Sequence, residues 1–120
     1  MSVVLIVEDD PGIQDVLRFL AEANDMRVVV ADTCGAAIRE AEAQHPDLAI
    51  VDLGLPDRDG IDVIHSIRSW SRLPIIVLSA RTLESQRLAV LQAGANDYVT
   101  KPFSAPELLA RMRALLAPGR

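Results

Sequence analysis

Leu48-Ala49-Ile50-Val51-Asp52 is an apolar run that shows almost no alternation and ends on a carboxylate. A strand with one wet face alternates apolar and polar residues. A continuous Val/Ile/Leu run instead fits a strand buried on both faces, as in a parallel sheet. Val3 to Val7 has the same character and stops at Glu8, and Pro74 to Leu78 stops at Ser79. Two weaker runs, Met26 to Ala31 and Tyr98 to Thr100, complete a set of five. Helical patterns fill the intervals: Ile13, Val16, Leu17 and Leu20 after Pro11; the alanine-rich Ala36 to Ala43; Ile61, Ile64 and Ile67; Leu88 and Leu91; then Leu108, Met112 and Leu115. Asp10-Pro11 predicts an N-cap with proline at the first helical position, Ser104 with Glu107 a capping box, and Pro118-Gly119 a helix stop. This alternation predicts an α/β fold, a flavodoxin-like (βα)5 three-layer sandwich. Its five-stranded parallel sheet has order 2-1-3-4-5.

The bulk properties narrow the function. The 120 residues fit a single domain, with 117–120 read as the start of a linker to an absent output domain. Half the residues are apolar, but no run is long enough to span a membrane. The start runs straight into apolar sequence without the charged region of a signal peptide, and Cys34 is the only cysteine. A reduced, cytoplasmic protein is expected. The net charge of −5 and the four aromatics (Phe19, Trp70, Tyr98, Phe103) argue against nucleic-acid binding by this domain, which needs clustered cations or stacking platforms.

In a doubly wound sheet, ligands bind beyond the carboxyl ends of the strands where the order reverses. Glu8, Asp9 and Asp10 follow the first strand, Asp52 ends the third, Ser79 ends the fourth, and Lys101-Pro102 follows the fifth. The first and third strands are neighbours in this order, so Glu8, Asp9 and Asp52 converge. Three carboxylates in one cleft repel one another. A hard divalent cation, Mg²⁺ or Mn²⁺, relieves that repulsion through oxygen ligands: Asp52, Asp9, Glu8 directly or through water, and the backbone carbonyl of Gly54. Asp10, next to Pro11, reads as a helix cap. A cis peptide at Lys101-Pro102 would turn the ammonium toward Asp52. Taken singly, Ser79 could be a helix cap and Lys101 a solvated surface lysine.

Val7-Glu8-Asp9-Asp10, Asp52-Leu53-Gly54-Leu55-Pro56 with Asp59-Gly60, Leu78-Ser79-Ala80, Gly94 to Tyr98, and Lys101-Pro102-Phe103 together resemble the response-regulator receiver family of two-component signalling. The resemblance runs the length of the chain, in order and spacing. It implies that Asp52 accepts a phosphoryl group from a sensor histidine kinase, that Glu8 and Asp9 hold Mg²⁺, and that Lys101 contacts the phosphoryl oxygens. It also implies that Ser79 and Tyr98 are the switch pair, and that Gly54 and Arg81 tune the lifetime of the acyl phosphate. Phosphotransfer and autodephosphorylation at Asp52 would be the only chemistry, without turnover of a separate substrate.

Within that family the chain looks most like the OmpR/PhoB type, which dimerises on phosphorylation through the fourth helix, fifth strand and fifth helix. There Arg87 would face Glu107 of the partner, and Asp97 would face Arg111. A third pair is lost, since its positions are Asn96 and Ala114. Arg68 to Ser71 and Pro74 to Arg81 resemble regulators of potassium-uptake genes, which implies a KdpD-like kinase. Three rivals remain. An aspartate-nucleophile phosphatase would carry a second Asp where Gly54 stands. A flavodoxin-type module would want a phosphate-cradling loop where Glu8-Asp9-Asp10 stands. A phosphorylation-independent pseudo-receiver would not need Asp9, Asp52 and Lys101 together.

Overall fold

The computed structural model describes residues 1–81 and 83–117. Strands β1 (Val3–Val7), β2 (Arg27–Ala31), β3 (Leu48–Asp52), β4 (Ile75–Ser79) and β5 (Asp97–Thr100) alternate with helices α1 (Pro11–Glu22), α2 (Cys34–Gln44), α3 (Ile61–Arg68), α4 (Glu84–Ala93) and α5 (Ala105–Leu116). All pairings are parallel and the order is β2-β1-β3-β4-β5, as the alternation of strands and helices predicts.

The apolar runs are continuous because both faces of the sheet are covered. Leu5, Val7, Ala49, Val51, Ile75 and Val77 point into a core closed by α2, α3 and Val90 of α4. Val4, Ile6, Leu48, Ile50, Ile76 and Leu78 point the other way, onto Leu17 and Ala21 of α1 and Leu108 and Met112 of α5. Each strand thus divides its side chains between two cores by the period of two.

The helix starts follow local chemistry. Asp10 Oδ1 accepts from the N–H groups of Gly12 at 2.8 Å and Ile13 at 3.4 Å. This satisfies donors that have no intrahelical partner, worth about 1 kcal/mol. Ser104 Oγ accepts from the Glu107 N–H, but the Glu107 carboxylate turns to Arg111 instead of back to Ser104, so half of the capping box forms. The second helix starts at Cys34, two residues before the alanine-rich segment. Thr33 Oγ1 accepts from the Ala36 N–H, and Asp57 reaches from the loop after β3 to accept from the N–H groups of Cys34 and Gly35. Those bonds hold the Asp57 carboxyl below its ordinary pKa.

Two members of the helical patterns face outward. Val16 and Leu88 are 49% and 47% exposed, while Leu17 and Val90 take the buried places. Helix α4 presents little besides Val90, Leu91 and Ala93 to the core, so its apolar spacing is a poor guide to its inner face. The helix stop at Pro118-Gly119 lies outside the described residues, as does the linker segment after Ala117.

Burial pushes the Cys34 thiol up to about 11, with the nearby Asp57 charge adding to the effect. The native thiol will therefore resist iodoacetamide at neutral pH and react once urea unfolds the chain. A folded-state pKa above the unfolded one means that the folded chain keeps its proton longer. Stability from this group is full below the ordinary thiol range and declines as pH rises toward about 11. Rapid alkylation of the folded protein at pH 7 would contradict this account.

Candidate functional site

The register of the sheet carries the polar residues to one edge. Val7 pairs with Val51, so the next residues, Glu8 and Asp52, lie side by side. Asp52 pairs with Leu78, and Ser79 with Thr100. Lys101 extends the last ladder, its N–H donating to the Ser79 carbonyl at 2.8 Å.

At that edge Glu8, Asp9 and Asp52 each offer a carboxylate oxygen, and these oxygens lie within 4.8 Å of one another. Glu8 and Asp52 are buried, whereas Asp9 is exposed and opens the cluster to solvent. Lys101 Nζ stands 3.0 Å from Glu8 Oε1 and 3.2 Å from Asp52 Oδ1. Its peptide bond to Pro102 is cis. Burial raises the Glu8 pKa, against the lowering effect of its hydrogen bond from Lys101. Burial alone would lower the Lys101 pKa. The hydrogen bond to Glu8 and the Asp52 and Glu8 charges outweigh it and leave the ammonium above its ordinary value. A cluster of hard carboxylate oxygens with one exposed member suits a small divalent cation that keeps part of its water shell, so the residues present fit Mg²⁺.

The loop after β3 is clamped under this cluster. The Gly60 N–H donates to the Leu53 carbonyl at 2.8 Å, and a Cβ at Gly60 would collide with the Asp52 carbonyl and lie 2.8 Å from Leu53 Cα. Gly54 bridges to Asp59, and a Cβ there would sit 3.9 Å from Asp52 Oδ2, so position 54 borders the Asp52 carboxylate.

Ser79 is buried, and its Oγ accepts from the Arg81 N–H at 3.0 Å. The half-buried Tyr98 donates its hydroxyl to the Arg81 carbonyl at 2.8 Å. Arg81 thus links Ser79 and Tyr98 through its own peptide groups, and its guanidinium reaches Asp59 at 2.9 Å. The family resemblance singled out Arg81, two residues past Ser79, but nothing in the sequence pointed to Asp59 as its partner. Nor did it find the apolar cavity of about 430 Å³ beside the lysine, lined by Ile13, Ala80, Lys101, Pro102 and Phe103. The apolar Phe103 directly after Lys101-Pro102 was the available signal.

On the candidate dimer face, Arg111 reaches both Asp97 and Glu107 of its own chain, at 2.7 and 2.9 Å, and Arg87 pairs with Glu84 at 3.0 Å. Asn96 is spent inside the fold: its Oδ1 accepts from the Ile75 N–H and from Arg68 Nη2.

A model of the response regulator receiver domain matches residues 4–113. The KDP operon transcriptional regulatory protein KdpE of Escherichia coli K12 is 52% identical over 116 residues, which cover 97% of this chain and 52% of that protein. The chain therefore spans about half the length of this relative. Among solved structures, the BeF3-activated receiver domain of Klebsiella pneumoniae RstA superposes with a TM-score of 0.91 at 30% identity, covering 96% of this chain and 98% of that one. The receiver domain of the sensor histidine kinase PA1611 from Pseudomonas aeruginosa, with a magnesium ion coordinated in its active-site cleft, gives 0.87 at 36% identity, covering 96% and 97%.

Proposed function

The chain belongs to the response-regulator receiver family of two-component signalling, and from that membership we propose that Asp52 accepts a phosphoryl group from a kinase phosphohistidine in the presence of Mg²⁺. The observation that carries this reading is the Lys101 ammonium, within 3.2 Å of Asp52 and 3.0 Å of Glu8 at the mouth of a three-carboxylate cluster. An Asp52 carboxylate oxygen attacks phosphorus in line. The bond from phosphorus to the histidine nitrogen breaks, and its electron pair leaves with the imidazole. The product is an acyl phosphate, which water later cleaves to the free carboxylate and inorganic phosphate. Such transfer depends mostly on position and on stabilising charge. Lys101 donates to an oxygen of the transferred group, and Glu8 holds that ammonium in place. Glu8, Asp9 and Asp52, with the Gly54 carbonyl as a further ligand, would hold Mg²⁺, which would supply charge neutralisation among the carboxylates and the phosphoryl oxygens. The PA1611 receiver, whose cleft holds magnesium, supports this part by likeness.

The new phosphoryl oxygens accept from the Ser79 hydroxyl and from Lys101, contacts available only in the phosphorylated state. That difference shifts a conformational equilibrium. The bonds joining Ser79 and Tyr98 through Arg81 support a route from Asp52 to the face of α4, β5 and α5. Dimerisation there exchanges the internal pairs of Arg87, Asp97, Glu107 and Arg111 for pairs across the interface. Exposed pairs of this kind are worth about 0–1 kcal/mol each, so they set geometry more than affinity. By likeness to KdpE, the donor is a KdpD-like kinase in the cytoplasm, and the outcome is control of potassium-transport genes by a longer protein that contains this domain.

Beryllofluoride, which mimics the phosphoryl group, tests the reading. With Mg²⁺ it will bind, move the amide signals of Ser79, Arg81 and Tyr98, and raise the sedimentation coefficient toward that of a dimer. Binding that leaves Tyr98 and the sedimentation unchanged would remove the switch. No binding at all would leave a phosphorylation-independent interaction module.

A further inference from the structure

The edge of the sheet opposite Asp52 holds a second polar site. The turn from α3 into β4 borders a cavity of about 370 Å³ lined by Arg68, Ser69, Trp70, Ser71 and Arg72. Arg68 is fixed there by neutral acceptors only: Nε donates to the Gly94 carbonyl, Nη1 to the Ser71 carbonyl and Nη2 to Asn96 Oδ1, at 3.0, 3.1 and 3.0 Å. These bonds hold the guanidinium plane and leave further N–H groups without a protein partner. Arg72 is exposed and has no hydrogen bond or ion pair among the described residues. The chain carries 17 acidic residues against 12 Lys and Arg, yet among the described residues no carboxylate pairs with either arginine.

The Ser69 hydroxyl donates to the Ser66 carbonyl at 2.6 Å, but Ser71 and Trp70 keep donors to give. Ser71 Oγ accepts from the Leu73 N–H, which leaves its own proton to give. Trp70 is 40% exposed, its ring touches His45 edge-on with ring centroids 6.4 Å apart, and its indole N–H has no protein acceptor among the described residues. Burial and the charge of Arg72 both lower the Arg68 pKa, so the pair is a local excess of positive charge in an acidic protein.

We propose that this cavity is an oxyanion site, which takes the phosphate group of a small organic phosphate against Arg68, Arg72 and the Ser71 hydroxyl, with the Trp70 ring beside the organic part. Guanidinium groups match phosphate oxygens in geometry, and an exposed indole offers an apolar face. A cavity of about 370 Å³ is within the range of small-molecule sites, roughly 300–1,000 Å³. The proposal does not depend on phosphorylation at Asp52, which lies at the other edge of the sheet.

Trp70 is the only tryptophan, so its fluorescence reports the site directly. Metal-free protein is titrated with inorganic phosphate and with phenyl phosphate, each against sodium chloride of equal ionic strength. Both phosphates will give a saturable change that chloride does not. Phenyl phosphate will bind more tightly, which marks a site for organic phosphates rather than for free phosphate. Arg72→Gln, a change at an exposed residue with no partner to lose, will weaken binding about tenfold, the scale of one charge-assisted contact. A response equal to that of chloride, or undiminished binding by the Arg72→Gln protein, would overturn the assignment. Equal affinity for the two phosphates would overturn the organic-phosphate part.

Discussion

Gly60→Ala will cost the protein about 3 kcal/mol or more, at the upper end of what overpacking does, and will reduce phosphoryl acceptance as well as stability. The reason is not backbone torsion, since Gly60 has helical angles that alanine adopts readily. It is space. The added Cβ meets the Asp52 carbonyl and Leu53 Cα, which are buried main-chain atoms at the carboxyl end of the central strand and cannot swing aside as a side chain can. Relief requires α3 to lift away from the end of β3. That lengthens the bond from the Gly60 N–H to the Leu53 carbonyl and displaces the residue that carries the acceptor carboxylate. Domains are stable by only about 5–15 kcal/mol, so the variant remains folded at room temperature and its loss can be read from a urea midpoint. A change below about 1 kcal/mol would mean that α3 is not held against Asp52 as described.

The second large effect is expected at Lys101. Lys101→Met leaves Glu8 and Asp52 buried beside Asp9 with no cation among them. Breaking a buried pair by removing one partner costs about 3–5 kcal/mol, and the partly open cleft brings the figure here to about 2–3 kcal/mol at pH 7. The pH dependence has a definite sign. Because the Lys101 pKa lies above its ordinary value, the parent keeps this stabilisation through neutral pH and loses it only as the pH rises through the lysine range. The Glu8 pKa lies above its ordinary value too, so the folded state holds the Glu8 proton longer and stability declines as the pH rises through the carboxylate range. Without Lys101 that decline steepens, and the deficit of the variant shrinks in acid as Glu8 takes up a proton. Added Mg²⁺ will restore part of the loss by mass action, through the proposed site on Glu8, Asp9 and Asp52. Transfer from acetyl phosphate slows by about 10²–10³, the usual result of deleting one preorganised charge donor. A variant as stable as the parent at pH 7 without metal would contradict the electrostatic account of the cluster.

Where a feature depended on local sequence, it was legible in advance. Unbroken runs such as Leu48 to Val51 mark strands covered on both faces, and the alternation with helices leads to the strand order. Asp10 before Pro11 and Ser104 before α5 act on neighbours two or three residues away. The convergence of Glu8, Asp9 and Asp52 was legible one step later, because strand order and strand ends together bring them to one edge. Features made by distant partners were not. Asp57 caps a helix that starts 23 residues before it, Asp59 meets Arg81 across 22, and Asn96 meets Arg68 across 28. Nothing in the local pattern distinguishes these side chains from solvated ones. Val16 and Leu88 mark their helices but lie exposed for a related reason: helical spacing marks an apolar stripe, and the neighbouring elements decide which of its members is covered.

The most direct test of phosphoryl acceptance at Asp52 is an intact mass after incubation with acetyl phosphate, with and without Mg²⁺, beside an Asp52→Asn control. The account predicts one added phosphoryl group on the parent, none when the metal is chelated, and none on the control. A parent that gains no phosphoryl group and also fails to bind beryllofluoride, or a control that is phosphorylated as readily as the parent, would contradict it.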